Sequence, residues 1–125
     1  MIGKNILAEK SFNFAVKIIG FYKVLIDSKK EYILSKQLLR SGTSVGALVR
    51  ESQNAESKAD FIHKLSIAQK ECDESIYWID LLIETDYVSQ TEGTSIKNDA
   101  QEILRIIRSS ILTTKSRLTS SKVNS

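Results

Sequence analysis

Apolar residues recur along this chain at alternating spacings of three and four, in four separate segments, and each recurrence draws one stripe down one face of a helix. The first stripe is Phe14, Ile18, Phe21 and Leu25, within a segment of about 9–27. The second runs Leu34, Leu38, Ser41, Val45, Leu48 and Ser52 through 31–54. The third is the most regular: Phe61, Leu65, Ala68, Cys72, Ser75, Ile79 and Leu82 within 58–86. Ala100, Ile103, Ile107, Ile111 and Leu118 mark the fourth, over 90–118. No proline occurs anywhere, so no helix has to break for want of an N–H donor. Ser57 with Asp60, and Ser89 with Glu92, have the spacing of capping boxes that open the third and fourth helices. Connections of a few residues make sequential helices antiparallel neighbours. The expectation is all-α: one antiparallel up-down-up-down four-helix bundle over 1–125, with a frayed tail at 119–125.

The second segment contains "RSGTSVGALVRE", residues 40–51, which has the small-residue look of a phosphate loop. A Walker-type loop needs a preceding strand and a Gly-Lys-Ser/Thr ending, whereas Gly46 is followed by Ala47 and no strand pattern precedes it. The stripe also passes through Ser41 and Val45 without losing phase, so the helix continues. Gly42 and Gly46, four apart, share a face, at a helix-propensity cost of roughly 1 kcal/mol per glycine. Close approach of another backbone would offset that cost. It could come from a neighbouring helix of the same bundle, or from a subunit or ligand contact at Ser41, Gly42 and Gly46.

Charge divides the chain into basic ends and an acidic middle. Residues 1–30 carry six Lys against two acids, 57–88 three Lys against seven acids, and 89–125 six cations against three acids. On the fourth helix Lys97, Arg108, Lys115 and Lys122 fall within about 20° of one line, with Arg105 to one side. On the second, Lys36 and Arg40 lie four apart, with Arg50 further on. Such rows can track phosphates, or can be stems that cover the edge of a core. On the third helix a second line of Lys64, Ile67, Glu71 and Trp78 runs beside the core stripe, fit for an oligomer contact. Trp78 closing the end of the bundle is the alternative. A head-to-tail ring needs two different patches per chain, and the acidic and basic segments supply them.

Composition narrows the function classes. Hydrophobic residues make up 42% and charged residues 26%, ordinary for a soluble globular chain, and short apolar runs flanked by acids span no membrane. The N-terminal residues lack a secretory pattern, and a single cysteine, Cys72, forms no internal disulfide; both suit a cytoplasmic protein. The one histidine, His63, has no ligand-like spacing around it, and no Glu-x-x-His pair of the di-iron type is present. Cys72 lies on the core stripe, where a thiol is a small apolar filler. No catalytic set, cofactor, metal or small-molecule substrate is expected.

The segments "EKSFNFAVKIIGFYKVL" and "EYILSKQLLRSGTSVGALVRESQNAESKADFIHKLSIAQKECDESIYWIDLL", then "TDYV" and a helical tail, closely resemble the four-helix-bundle proteins encoded in intervening sequences of bacterial large-subunit (23S) ribosomal RNA genes. The resemblance spans about residues 9–115 and is densest over 34–82. It implies a homopentameric ring and, through similarity to the basic pentameric accessory protein of diversity-generating retroelements, association with RNA or DNA. It supplies no catalytic residues. Many members read S-I-x-x-N-I-A-E-G where this chain keeps Ser44 and Glu51 but has Leu48 and Val49 in place of Asn and Ile. The resemblance therefore implies a ring-forming, non-enzymatic RNA-associated protein, with a scaffold that binds only proteins as the other reading.

Overall fold

Four helices account for nearly all of residues 5–124, the part of the chain that this computed structural model describes, with side chains described through Thr119. They are α1 Ile6–Asp27, α2 Leu34–Gln53, α3 Lys58–Glu84 and α4 Gln90–Asn124, and no strand occurs among the described residues. The polar residues at their starts explain where the helices begin. Asn5 Oδ1 accepts the Ala8 N–H at 3.0 Å, so α1 opens three residues before the expected position. Ser57 Oγ accepts the Asp60 N–H at 3.0 Å, and Asp60 accepts the Glu56 N–H in return, one residue earlier than a strict capping box would have it. At α4, Ser89 Oγ accepts the Glu92 N–H at 3.1 Å.

Helix α2 departs from the pattern. The sequence places its start at 31, yet it begins at Leu34 because Glu31 acts as its cap. Lys30 turns the chain with φ of 57°, and the Glu31 carboxylate then accepts the N–H groups of Ile33 (3.2 Å), Leu34 (3.0 Å) and Ser35 (2.6 Å). Those are orphan donors of a first turn, and the side chain that serves them is buried. Burial pushes the Glu31 carboxyl up, but the donors from Leu34, Ser35 and Ile33 outweigh it together and hold it below the ordinary carboxylate value. At the other end of the chain, α4 remains helical through Asn124, where a frayed tail was expected from residue 119; Ser125 lies outside the described residues.

Cross-helix pairs give the direction of every neighbour. Advancing from Gly42 to Gly46 on α2 moves the facing partner on α1 back from Ile18 to Ser11. Arg40 faces Glu74 while Glu51 faces Lys64, so α2 and α3 are antiparallel. Asp80 pairs with Lys97 while Cys72 meets the Ala100 carbonyl, and Lys10 pairs with Glu102 while Lys17 pairs with Asp99. All four seams run up-down, and the diagonal helices do not meet. The stripes turn inward as expected: Phe14, Ile18 and Leu25 meet Leu38, Val45, Leu65, Ile79, Leu82, Ile103 and Ile107 in one core. On α2 the buried residue is Val49, with Leu48 only half-buried beside it.

The "RSGTSVGALVRE" segment faces two neighbours at once. A Cβ on Gly42 would lie 2.8–2.9 Å from the Ile18 side chain, and one on Gly46 would lie 3.2 Å from the Ser11 carbonyl oxygen. Ser41 turns the other way, where its hydroxyl and that of Ser75 are buried 2.9 Å apart. The glycines thus serve the α1–α2 seam and the serine serves the α2–α3 seam.

Gly42→Leu is expected to destabilise the fold by about 1–3 kcal/mol despite the better helix propensity of leucine, because Ile18 has no room to withdraw; an unchanged melting temperature contradicts this packing. Glu31→Gln is expected to cost about 1–2 kcal/mol at pH 7. Because the native carboxyl titrates low, that difference is present above the ordinary value of 4.5 and closes as the pH falls through the native one. Denaturant titrations of both proteins at pH 7 and pH 3 check it.

Candidate nucleic-acid and self-association interfaces

The long cations fall into two groups. Arg40, from the middle of α2, reaches across to α3 and meets Glu74 at 2.6 Å and Glu71 at 3.6 Å. Lys97 reaches from α4 to Asp80 at 2.6 Å, and Lys64 from α3 to Glu51 at 3.3 Å. Three of the residues singled out in the sequence therefore stitch helix to helix. Lys36, Arg50, Arg105, Arg108 and Lys115 are exposed and have no ion pair among the described residues. The cation row on α4 is thus divided: its Lys97 end is tied to α3, its Arg108 and Lys115 end is in solvent, and the Lys122 side chain lies outside the described residues. Spacing along one helix cannot reveal this division, because Asp80 approaches only when α3 is in place.

Around Arg40 the acidic third helix forms a small polar cluster. Trp78 is half-buried against the core; its Nε1 donates to Glu74 Oε1 at 3.3 Å, and its ring meets Tyr77 edge-on with centroids 5.1 Å apart. Glu71 Oε1 is buried and accepts no hydrogen bond, so the Arg40 guanidinium at 3.6 Å is its compensation. Ser41 and Gly42 are buried within the bundle; Gly46 is half-buried and lines a shallow groove with Ala8, Phe12, Ala15 and Ala47.

That groove borders a surface the core stripes do not reveal. Phe12 and Val16 are 62% and 54% exposed, and Ile19 follows one turn on, so α1 carries a second apolar line along its outer side. The signal was in "FNFAVKIIGF", which has more apolar residues than one stripe can hold. A contiguous exposed apolar strip next to a trough of small residues is a surface suited to contact with another chain.

The single cysteine is buried in the core. Burial, the Asp73 charge and, against them, Arg108 leave the Cys72 thiol pushed up to about 12, with Sγ 3.3 Å from the Ala100 carbonyl. His63 is exposed, and no group of His, Cys, Asp or Glu among the described residues could hold a metal. Nor is any described helix long and apolar enough to cross a membrane. Cys72 is therefore expected to resist a thiol reagent at pH 8 in the native protein and to react at the rate of unfolding; rapid labelling without denaturant contradicts its burial.

Comparison with known proteins agrees with this architecture. No curated protein sequence matches the chain. The crystal structure of a protein of unknown function from the S23 ribosomal protein family of Bacteroides thetaiotaomicron superposes with a TM-score of 0.84 at 49% identity, covering 85% of this chain and 98% of that one. The family described as 23S rRNA-intervening sequence protein matches residues 3–109. By that match over most of its length, the chain belongs to the 23S rRNA-intervening sequence protein family.

Proposed function

We propose that this protein is a non-enzymatic assembly module that joins copies of itself into a ring and associates with RNA through exposed helix cations. The observation that carries this reading is the outer side of α1, where Phe12, Val16 and Ile19 face solvent beside the Ala8, Ala15, Gly46 and Ala47 groove. In a monomer such a strip has no use and promotes aggregation, whereas a copy seated on it would bury it. A closed ring pairs this face with a different one on the next chain, and the exposed Asp73 and Tyr77 of α3 give a second, chemically distinct face. Five copies is the number that the family resemblance implies.

RNA association rests on Lys36, Arg50, Arg105, Arg108 and Lys115, whose charges no described carboxylate neutralises. Repetition around a ring multiplies a modest charge of +3 per chain into a surface that can release counterions from a phosphate backbone. The second reading, a scaffold that binds proteins alone, is favoured by the ion-paired state of Arg40 and Lys97, which removes two cations from the surface.

Light scattering is expected to give a mass several times the 14.1 kDa of one chain. Phe12→Glu together with Val16→Glu is expected to reduce it to the monomer while helicity is kept; a monomeric wild-type protein sinks the assembly half. Retention of a structured ribosomal RNA fragment that weakens steeply with salt supports the RNA half, and no retention at low salt leaves the scaffold reading.

A further inference from the structure

We propose that the second half of α4 is a phosphate-tracking arm that holds RNA by its backbone, without reading sequence. This rests on the RNA association proposed above and locates it.

The charge of α4 changes character partway along. Up to Glu102 its charges are largely engaged with other helices: Lys97 with Asp80, Asp99 with Lys17, Glu102 with Lys10. After Glu102 the chain contains no acid at all, but it does contain Arg105, Arg108, Lys115, Arg117 and Lys122. The four of these whose side chains are described are exposed and unpaired among the described residues. Ser109, Thr113, Ser116 and Thr119 add exposed hydroxyls along the same stretch.

Only the last two turns of this stretch run past the end of the bundle. α4 has 35 residues against 27 in α3, so it outruns α3 by roughly 12 Å at about 1.5 Å per residue. Thr114 and Arg117 lie level with the bundle end, in one hollow with Asn5, Gln53 and Lys58, where the other three helices begin or finish. The helix then continues for seven more residues, 118–124. The family match stops at residue 109, so Lys115, Arg117 and the overhang lie outside the matched residues.

Three ordinary explanations fall short. Cations favour a helix C-terminus, but only within its last turn, and Arg105 lies five turns from Asn124. Core-edge snorkelling suits Arg108 and Lys115, one turn on from buried Leu104 and Ile111, but not Arg105 on the outer side. Solubility needs mixed charge, whereas 23 residues of one sign make a field suited to a polyanion. A protein partner would require an apolar centre, and the only large exposed apolar residue described here is Leu112. Arg, Lys and hydroxyl side chains are the set that contacts phosphate and sugar. A straight helix cannot enter the narrow major groove of A-form RNA, so contact runs along the phosphate rims and is indifferent to base identity.

The test compares full-length wild type with the triple variant Arg105→Gln, Lys115→Gln, Arg117→Gln, and with Lys36→Gln, Arg50→Gln as the control. Each is titrated with two duplex RNAs of about 20 base pairs and unrelated sequence, over a range of salt, and its mass is measured by light scattering. The triple variant is expected to keep its mass, lose about tenfold or more in affinity for both RNAs, and lower the salt slope by about three. Loss of binding in the control but not in the triple variant overturns the arm and leaves RNA association standing. Wild type that ignores both RNAs at low salt removes arm and association together. A more than tenfold preference for one duplex overturns backbone recognition. Binding of phosphatidylserine vesicles, without RNA binding, reassigns the arm to a membrane surface and overturns the proposal.

Discussion

The rest of the bundle depends on the close approach of α1 and α2. At Gly42 the missing Cβ admits Ile18, which is fully buried, and at Gly46 it admits the backbone carbonyl of Ser11. Two glycines in mid-helix cost about 1 kcal/mol each against alanine, a loss that the interlocked core has to offset. With Ile18 seated over Gly42, Phe14 and Leu25 are also directed inward, and α1 is fixed in rotation. That rotation is what leaves Phe12, Val16 and Ile19 on the outside.

Ion pairs then organise the surface around this core. Lys10 and Lys17 tie α1 to α4, Arg40 ties α2 to α3, and Lys97 ties α4 to α3. Each is at least partly exposed, so individually they contribute little stability, on the order of 0–1 kcal/mol. Their larger consequence is subtractive: they decide which charges remain for another molecule. Arg40 and Lys97 are taken up internally, whereas the far half of α4 keeps its charge because no described carboxylate lies within reach. The proposed division of labour follows, with an apolar α1 side for self-association and a basic α4 end for RNA.

The cap of α2 shows how local chemistry can override periodicity. Counting apolar positions extends α2 back to residue 31, but Glu31 is a carboxylate beside three unpaired N–H groups, and using it as a cap is worth more than one further helical turn. α1 ends on its own backbone: the Ser28 N–H returns to the Val24 carbonyl at 2.9 Å, and with Lys30 at a φ of 57° the Glu31 N–H reaches the Leu25 carbonyl at 3.0 Å. Ser57 and Ser89, by contrast, were legible as caps because their partners lie three residues on and need no tertiary contact.

From the sequence alone came the four helices, their inward stripes from Phe14 to Ile111, and the family to which the motif-bearing segments belong. These follow from helical periodicity and capping, which are local. Which small residue faces which neighbour, which lysine is neutralised, and which apolar residues stay outside were decided only in the tertiary structure. Ser41 and Gly42 are adjacent in the chain yet serve different helices, and Lys97 shares a line with Lys115 yet is paired across 17 residues to Asp80. Such pairings depend on the rotation of each helix about its own axis, a quantity set by packing against partners and carried by no single stretch of sequence.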